Sequence, residues 1–408
     1  MKWLSLATVI AAAGSFAILL LSAWTLGMEV NVQFTAYWGM FFALTGVLGG
    51  LMQETTRAVG ARDAGKRTVA SGARPIMVAL AVGAITFAVL AVTGPIWAPR
   101  VLDGNEVAGT LLMAGGLGLY AIQATVSGLL SARKLWSHYA SLIIVDILIR
   151  VVPAVLAYLF GWGLVAWLVI TMIGTISWLL LVAVSPATRE VLLLSADVPT
   201  RRFVRLMFTA MWASGASAVL VTGFPTLIKL ANDAASADTS ALTAVATVTA
   251  GGVIYAVTLT RAPLLMPLEK FQNAIIVHFV HNANQPLKAL AKPLGALVAF
   301  GAVGAALAWL IGPFIIRAIL APEYFVPGNI LAGLTLAATA TAVLMVTGAV
   351  TLAVGKHRFY MLGWVLATIV ATAILFIPGN LAIRTIAALL SGSALGIATH
   401  LRALNALK

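Results

Sequence analysis

Runs of about 20 largely apolar residues recur along almost the whole of this chain, and a run of that length is what a helix needs to cross a bilayer. A bilayer core offers no water to the backbone, so each such segment must satisfy its own peptide groups, which a helix does and a lone strand does not. By that criterion about twelve spans are expected, at residues 3–26, 33–53, 75–98, 107–130, 138–160, 162–184, 204–230, 240–260, 293–312, 328–354, 359–377 and 381–400. The fold class that follows is an all-α polytopic membrane protein. Composition sets the same limit: 62% of residues are hydrophobic and 9% charged, where soluble domains hold roughly 45–50% and about 25%. A water-soluble enzyme is thereby excluded. The first run is too long for a cleaved leader and has no small-residue cleavage pattern, so it reads as a retained span.

The formal net charge of +13 does not point to nucleic acid, because the charges are sorted by turn. Arg57, Arg62, Lys66, Arg67 and Arg74, then Arg133 and Lys134, Arg189 to Arg205, Arg261 to Lys292, Lys356 and Arg358, and Arg402 alternate with turns holding only Arg100, Lys229, Arg317 and Arg384. The positive-inside rule puts the basic set and both termini in the cytoplasm, which requires an even number of spans. Most of these cations are read as topology determinants beside anionic membrane lipids. Tryptophans such as Trp3, Trp24, Trp97, Trp136 and Trp162 fall near span ends, as an interfacial aromatic belt requires.

The chain also repeats itself. Gly49-Gly50-Leu51-Met52-Gln53-Glu54-Thr55-Thr56-Arg57 returns half a chain later as Gly251-Gly252, followed by Thr260-Arg261. Ala73-Arg74-Pro75 recurs as Ala291-Lys292-Pro293, and Gly94-Pro95 as Gly312-Pro313 at the same offset. Two halves, 1–195 and 196–408, of six spans each are expected. An even number per half makes the repeats parallel, related by a pseudo-two-fold axis along the membrane normal. The joint at 184–200 carries Pro186, Arg189, Glu190 and Pro199, which break the apolar pattern. The second half has an insertion at 264–281 whose apolar and polar residues segregate to opposite helical faces. It is expected to be an amphipathic helix on the inner leaflet, with a cytoplasmic extension of the eighth span as the other reading.

Ionisable groups inside spans are costly and so are candidate sites. Asp146 and Arg150 are one helical turn apart in the fifth span and can pair on one face. Gln123 and Ser127 in the fourth span, and Lys229 beyond Pro225 in the seventh, are further cavity candidates, with interhelical hydrogen bonding as the structural alternative. Arg57 and Arg261 end the second and eighth spans in matched Thr-Arg contexts. Across a pseudo-two-fold axis their guanidinium forks are expected to face one another at the cytoplasmic mouth, where they suit a phosphate or diphosphate. Several chemistries are absent from the sequence. Zero cysteines remove disulfides and thiolate sites. No Gly-rich loop carries Lys-Ser/Thr for nucleotide phosphates, no His/Glu cluster has metal spacing, and the first outer turn lacks the paired carboxylates of a membrane glycosyltransferase. The expectation is a non-enzyme without cofactors.

This topology, the Arg ending the second span of each half, and the basic aromatic turns Arg133-Lys134-Leu135-Trp136 and Lys356-His357-Arg358-Phe359 resemble the Wzx-type polysaccharide flippases of the multidrug/oligosaccharidyl-lipid/polysaccharide exporter superfamily. The Ala/Gly/Val-rich composition looks actinobacterial. The resemblance implies alternating access in the cytoplasmic membrane and a polyprenyl-phosphate- or diphosphate-linked saccharide as cargo. It further implies coupling to an H+ or Na+ gradient or the membrane potential, and glycosyltransferases or a polymerase of the same pathway as partners. It gives Arg57 and Arg261 as headgroup-binding residues, while Arg150 and Asp146 would hold the phosphate or a coupling ion near the midplane. Two rivals remain at this point: a multidrug or cation exporter of the same superfamily, for which Asp146 is the lone intramembrane acid, and a non-transporting scaffold for envelope-synthesis enzymes.

Overall fold

A computed structural model describes residues 2–63, 72–237, 248–281, 286–354 and 356–405. Among these the regular structure is helical throughout. Eleven helices are long and apolar enough to cross a membrane, and the chain is a multi-pass membrane protein. Of the expected eighth span, 240–260, residues 240–247 lie outside the described residues; most of the remainder lies in α11 (Ala250–His281), whose apolar stretch, Ala250–Leu265, is shorter than the others.

The contacts divide the chain into two units, Met1–Gly223 and Phe224–Lys408. The first contains α1 (Lys2–Thr25), α2 (Met28–Asp63), α3 (Pro75–Val101), α4 (Glu106–Ala132), α5 (Trp136–Phe160), α6 (Leu164–Ile173), α7 (Ser177–Val184), α8 (Pro186–Val191) and α9 (Thr200–Val221). α6 and α7 form one span that tightens into a 3-10 turn at Gly174–Ile176. The second unit contains α10 (Phe224–Ala237), α11, α12 (Pro286–Leu310), α13 (Gly312–Ile319), α14 (Gly328–Ala353), α15 (His357–Leu375) and α16 (Leu381–Asn405).

α2 is the core of the first unit. Its 36 residues run ten beyond the expected end of the second span, carrying Glu54 and Arg57 as helical residues. Phe34, Tyr37 and Phe41 are fully buried, with Phe34 edge-on to Trp167 at 5.6 Å. The Tyr37 hydroxyl donates to the Gly109 carbonyl at 2.8 Å, which satisfies its polar end within an apolar core. α9 belongs to this unit because α2 presents Gly46 and Gly50 to it one turn apart. A Cβ on Gly50 would strike the backbone of Ala210 and Met211, and one on Gly46 would strike Ala218. Small residues at this spacing let helix backbones meet where lipid supplies no hydrophobic drive between helices. Gly50→Leu is therefore expected to force the two helices apart at a cost of about 1–3 kcal/mol, measurable as a lower melting temperature of the purified protein.

Two expected elements differ. The seventh span, expected as one run at 204–230, stops at Val221 and restarts at Phe224. Gly223 and Pro225 explain the break, since proline lacks the N–H that a continuing helix needs and clashes with the preceding turn. Residues 264–281 are not a separate helix: they prolong α11 without interruption past Pro263. The side chains of 269–281, which would define its two faces, lie outside the described residues.

Candidate functional site

Within the first unit, the segment that joins α8 to α9 is a buried strap. Ala196, Asp197 and Val198 are at most 3% exposed. The backbone pairs on both sides, with Asp197 N–H donating to Ala58 O at 3.0 Å, Ala196 N–H to Ala73 O at 2.8 Å and Ala73 N–H to Val198 O at 2.9 Å. Arg62 adds a bond to Ala196 O at 3.0 Å. Arg57 locks this arrangement. Its guanidinium donates to both oxygens of Glu54, at 2.9 and 2.6 Å, and to both oxygens of Asp197, each at 3.3 Å. Both carboxylates are buried while the Arg57 side chain is 45% exposed. A guanidinium has five N–H donors; four are spent on these acids, so a phosphate at Arg57 would compete with two carboxylates already in place.

The second cluster lies in the middle of the spans. Arg150 is 3% exposed and donates through Nη2 to Asp146 Oδ1 at 3.1 Å, while Gln123 Nε2 reaches the same oxygen at 3.4 Å. The guanidinium carbon sits 5.4 Å from the Phe41 ring centre and 5.5 Å from that of Phe42, within cation–π range. Gly174 admits the pair: an added Cβ would strike Arg150 Nε and Nη2 and Asp146 Oδ1. Gly174→Ala should therefore displace the ion pair and cost about 1–3 kcal/mol, read as a lowered melting temperature with normal membrane insertion. Gln123 Oε1 and Arg150 Nε are buried with no hydrogen-bond partner among the described residues. Asp146, with its side chain 23% exposed, is the one member of the pair that outside groups can reach.

In the second unit Arg261 is 5% exposed, its guanidinium carbon 5.2 Å from the Phe224 ring centre. Arg384, counted from the sequence as a turn charge, is 7% exposed. Asn380 Oδ1 caps α16 by accepting from Ala382 N–H at 3.0 Å. The Arg384 side chain folds back to donate to Ile377 O at 3.2 Å and Ala231 O at 3.0 Å. Its Nε is buried without a hydrogen-bond partner among the described residues. Lys229 ion-pairs with Asp233 at 2.5 Å, one turn along α10. His400 is fully buried, 3.2 Å from Thr347 Oγ1 through Nδ1 and 3.2 Å from Tyr360 O through Nε2, its ring stacked on that of Tyr360. Neither Arg384 nor His400 was singled out by span reasoning; a lone ionisable residue inside the α16 run was the available signal.

The chain is 38% identical over 401 residues to Uncharacterized protein Rv3630 of Mycobacterium tuberculosis strain H37Rv, covering 98% of this chain and 90% of that protein. It is 39% identical to Uncharacterized protein Rv1510 of the same strain, with the same coverage. No family model matches the chain. Among solved structures, an inward-facing multidrug resistance MATE family transporter of the MOP superfamily superposes with a TM-score of 0.75 at 12% identity, over 97% of this chain and 95% of that one. A MOP superfamily transporter from Pyrococcus furiosus superposes with a TM-score of 0.70 at 14% identity, over 100% and 95%. The helical fold is that of these transporters.

Proposed function

The chain belongs to the family of the mycobacterial proteins Rv3630 and Rv1510, and from that premise we propose that it is a lipid-linked saccharide flippase. In this reading it moves a polyprenyl-phosphate- or diphosphate-linked sugar from the inner to the outer leaflet of the cytoplasmic membrane, by alternating access, with both termini in the cytoplasm. The observation that carries the proposal is the sign of the charge buried in the second unit. Among its described residues the buried charges are Arg261 and Arg384, whereas the carboxylates Asp233 and Glu323 are exposed. A guanidinium held in a span is costly, and its planar fork suits the oxygens of a phosphate. The Pyrococcus furiosus transporter of similar fold is described as having a binding pocket of reverse polarity that suggests a different function. That description supports a fold whose pocket polarity, and with it function, differs between members. In the first unit Asp146, with Arg150 and Gln123, is assigned to coupling with an ion gradient, and Arg57 to holding the strap.

The test uses proteoliposomes carrying a fluorescent polyprenyl-phosphate sugar and an impermeant quencher. Wild-type protein is expected to expose the inner-leaflet pool. Arg261→Gln and Arg384→Gln should each slow this at least tenfold, the loss that about 1.4 kcal/mol of missing phosphate interaction produces. Unchanged rates in the doubly substituted protein would overturn the proposal. A multidrug exporter is the second reading, favoured by the exposed edge of Asp146 and by the multidrug transporter of similar fold. It requires that Asp146→Asn combined with Arg150→Gln abolish organic-cation efflux at normal protein levels while Arg384→Gln leaves efflux intact.

A further inference from the structure

The turns that join α1 to α2, α3 to α4 and α5 to α6 meet at the end of the first unit opposite its basic turns. They border an open cleft of about 330 Å³, lined by Gln33, Asp103, Asn105 and Trp162, by the glycines 27, 161 and 163, and by Leu26, Val30 and Leu164 among others. That volume is at the lower end of the roughly 300–1,000 Å³ of small-molecule sites. We propose that this cleft is a saccharide-binding site, independent of whatever cargo the spans carry.

The walls are held in place by the backbone. Asp103 N–H donates to Gln33 Oε1 at 3.0 Å, pinning the α3–α4 turn to the first turns of α2, and Gly104 N–H donates to Glu106 Oε1 at 3.0 Å. Gly161 closes α5 in the left-handed conformation, φ 63°, and Trp162 N–H then bonds back to Ala157 O at 2.9 Å, an αL helix stop. The Trp162 ring stacks on Phe160 with centroids 6.3 Å apart and planes 21° from parallel. Its carbonyl accepts from Trp167 Nε1 at 3.2 Å. With its backbone tied and one neighbour stacked on it, the 40% exposed indole is a fixed platform at the cleft wall.

The lining chemistry selects the ligand. The Asp103 carboxylate is exposed and, among the described residues, makes no side-chain hydrogen bond or ion pair. The Gln33 amide keeps its NH2 donors, since only Oε1 is engaged. A carboxylate and amides offer acceptors and donors at separate points, which is what adjacent hydroxyls take up, while an indole supplies an apolar face beside a polar edge. A phosphate would meet the negative Asp103 with no cation in the lining. A calcium ion takes six to eight oxygens, usually several from carboxylates, and this cleft holds one acid. A sugar ring, with a C–H face and hydroxyls around its rim, matches each feature.

The full chain in lipid nanodiscs, prepared without glycoside detergents, is titrated by saturation-transfer NMR with the methyl glycosides of glucose, galactose, mannose and N-acetylglucosamine. Transfer to at least one is expected, weakened at least tenfold by Asp103→Ala and by Trp162→Ala and partly retained by Trp162→Phe. Gly163→Phe serves as a filling variant. The Gly163 backbone, at φ −76°, accepts any residue, and no atom lies within 4 Å of its added Cβ. A second titration uses the same sugars as phosphates on a short prenyl chain. Equal or weaker binding of the prenyl phosphates, whose charge would meet Asp103, is expected of a site for a free saccharide; tighter binding would overturn the lining argument. Absence of transfer from every glycoside, transfer unchanged in both Asp103→Ala and Gly163→Phe, or a response to calcium alone would overturn the site. If Trp162→Ala fails to fold, the Asp103 and Gly163 variants decide the outcome. None of these readouts depends on flipping, so a negative result here and a negative result in the quencher assay are separate.

Discussion

Arg57→Ala is expected to lower the melting temperature of the protein and to loosen the strap at residues 192–199, because it leaves Glu54 and Asp197 buried beside each other without a cation. Removing one partner of a buried ion pair costs about 3–5 kcal/mol. The half-exposed Arg57 lets water reach part of the cluster, which brings the expected loss to about 2–3 kcal/mol. Arg57→Lys should recover only part of this, since an ammonium cannot reproduce a fork that serves two carboxylates. Adding Glu54→Gln and Asp197→Asn to Arg57→Ala should restore most of the stability, because amides tolerate the site without a counterion. That triple variant also separates the two roles open to Arg57. If the arginine only clamps the strap, restored folding restores flipping in the quencher assay. If it also holds a headgroup phosphate, folding returns and flipping does not. Limited proteolysis within residues 192–199 provides the structural readout, since the strap is cut only when it lifts from Ala58 and Ala73.

Hydropathy revealed the existence and order of the spans because helix formation in a bilayer is forced by an unsatisfied backbone, and a run of about 20 apolar residues is a sufficient signal. It revealed far less about where helices continue or break. α2 runs on to Asp63 through Glu54 and Arg57, which pair with each other at i and i+3, while Arg57 also holds Asp197, 140 positions away, a contact that no local window senses. The seventh span looked continuous because Gly223 and Pro225 are apolar by composition, yet they stop a helix by backbone geometry. Of the candidate sites, Asp146 with Arg150 was readable because both partners lie on one helix at i and i+4. Arg384 was not, because it falls in the first turn of α16 and looks like a turn charge. Its side chain folds inward only because Asn380 starts the helix and the carbonyls of Ala231 and Ile377 accept its protons. Contacts distant in sequence decided each of these cases.

The Asp146–Arg150 pair yields the sharpest expected result. Arg150→Ala strips the counterion from a carboxylate within a span and leaves a void between Phe41, Phe42 and Gly174. It should therefore cost about 3–5 kcal/mol and reduce the amount of folded protein in membranes. Asp146→Asn should cost as much or more, since it leaves a 96% buried guanidinium side chain facing two phenyl rings with only amides to meet it. Buried ion pairs are often replaceable as a pair when neutral groups fill the same space. Asp146→Asn combined with Arg150→Gln is accordingly expected to regain most of the stability that either single change loses, a coupling energy of about 2–3 kcal/mol in a double-mutant cycle. Transport then shows why the pair exists. A structural ion pair predicts that the double variant flips lipid-linked sugar at the wild-type rate. A coupling site predicts a folded protein that still equilibrates the sugar between leaflets but no longer responds to an imposed H+ or Na+ gradient, because the only outside-reachable carboxylate of the cluster has lost its charge. Gradient response retained in the double variant would remove Asp146 and Arg150 from the coupling mechanism and leave the pair as the tie that holds α5 against α2 and the 3-10 turn at Gly174.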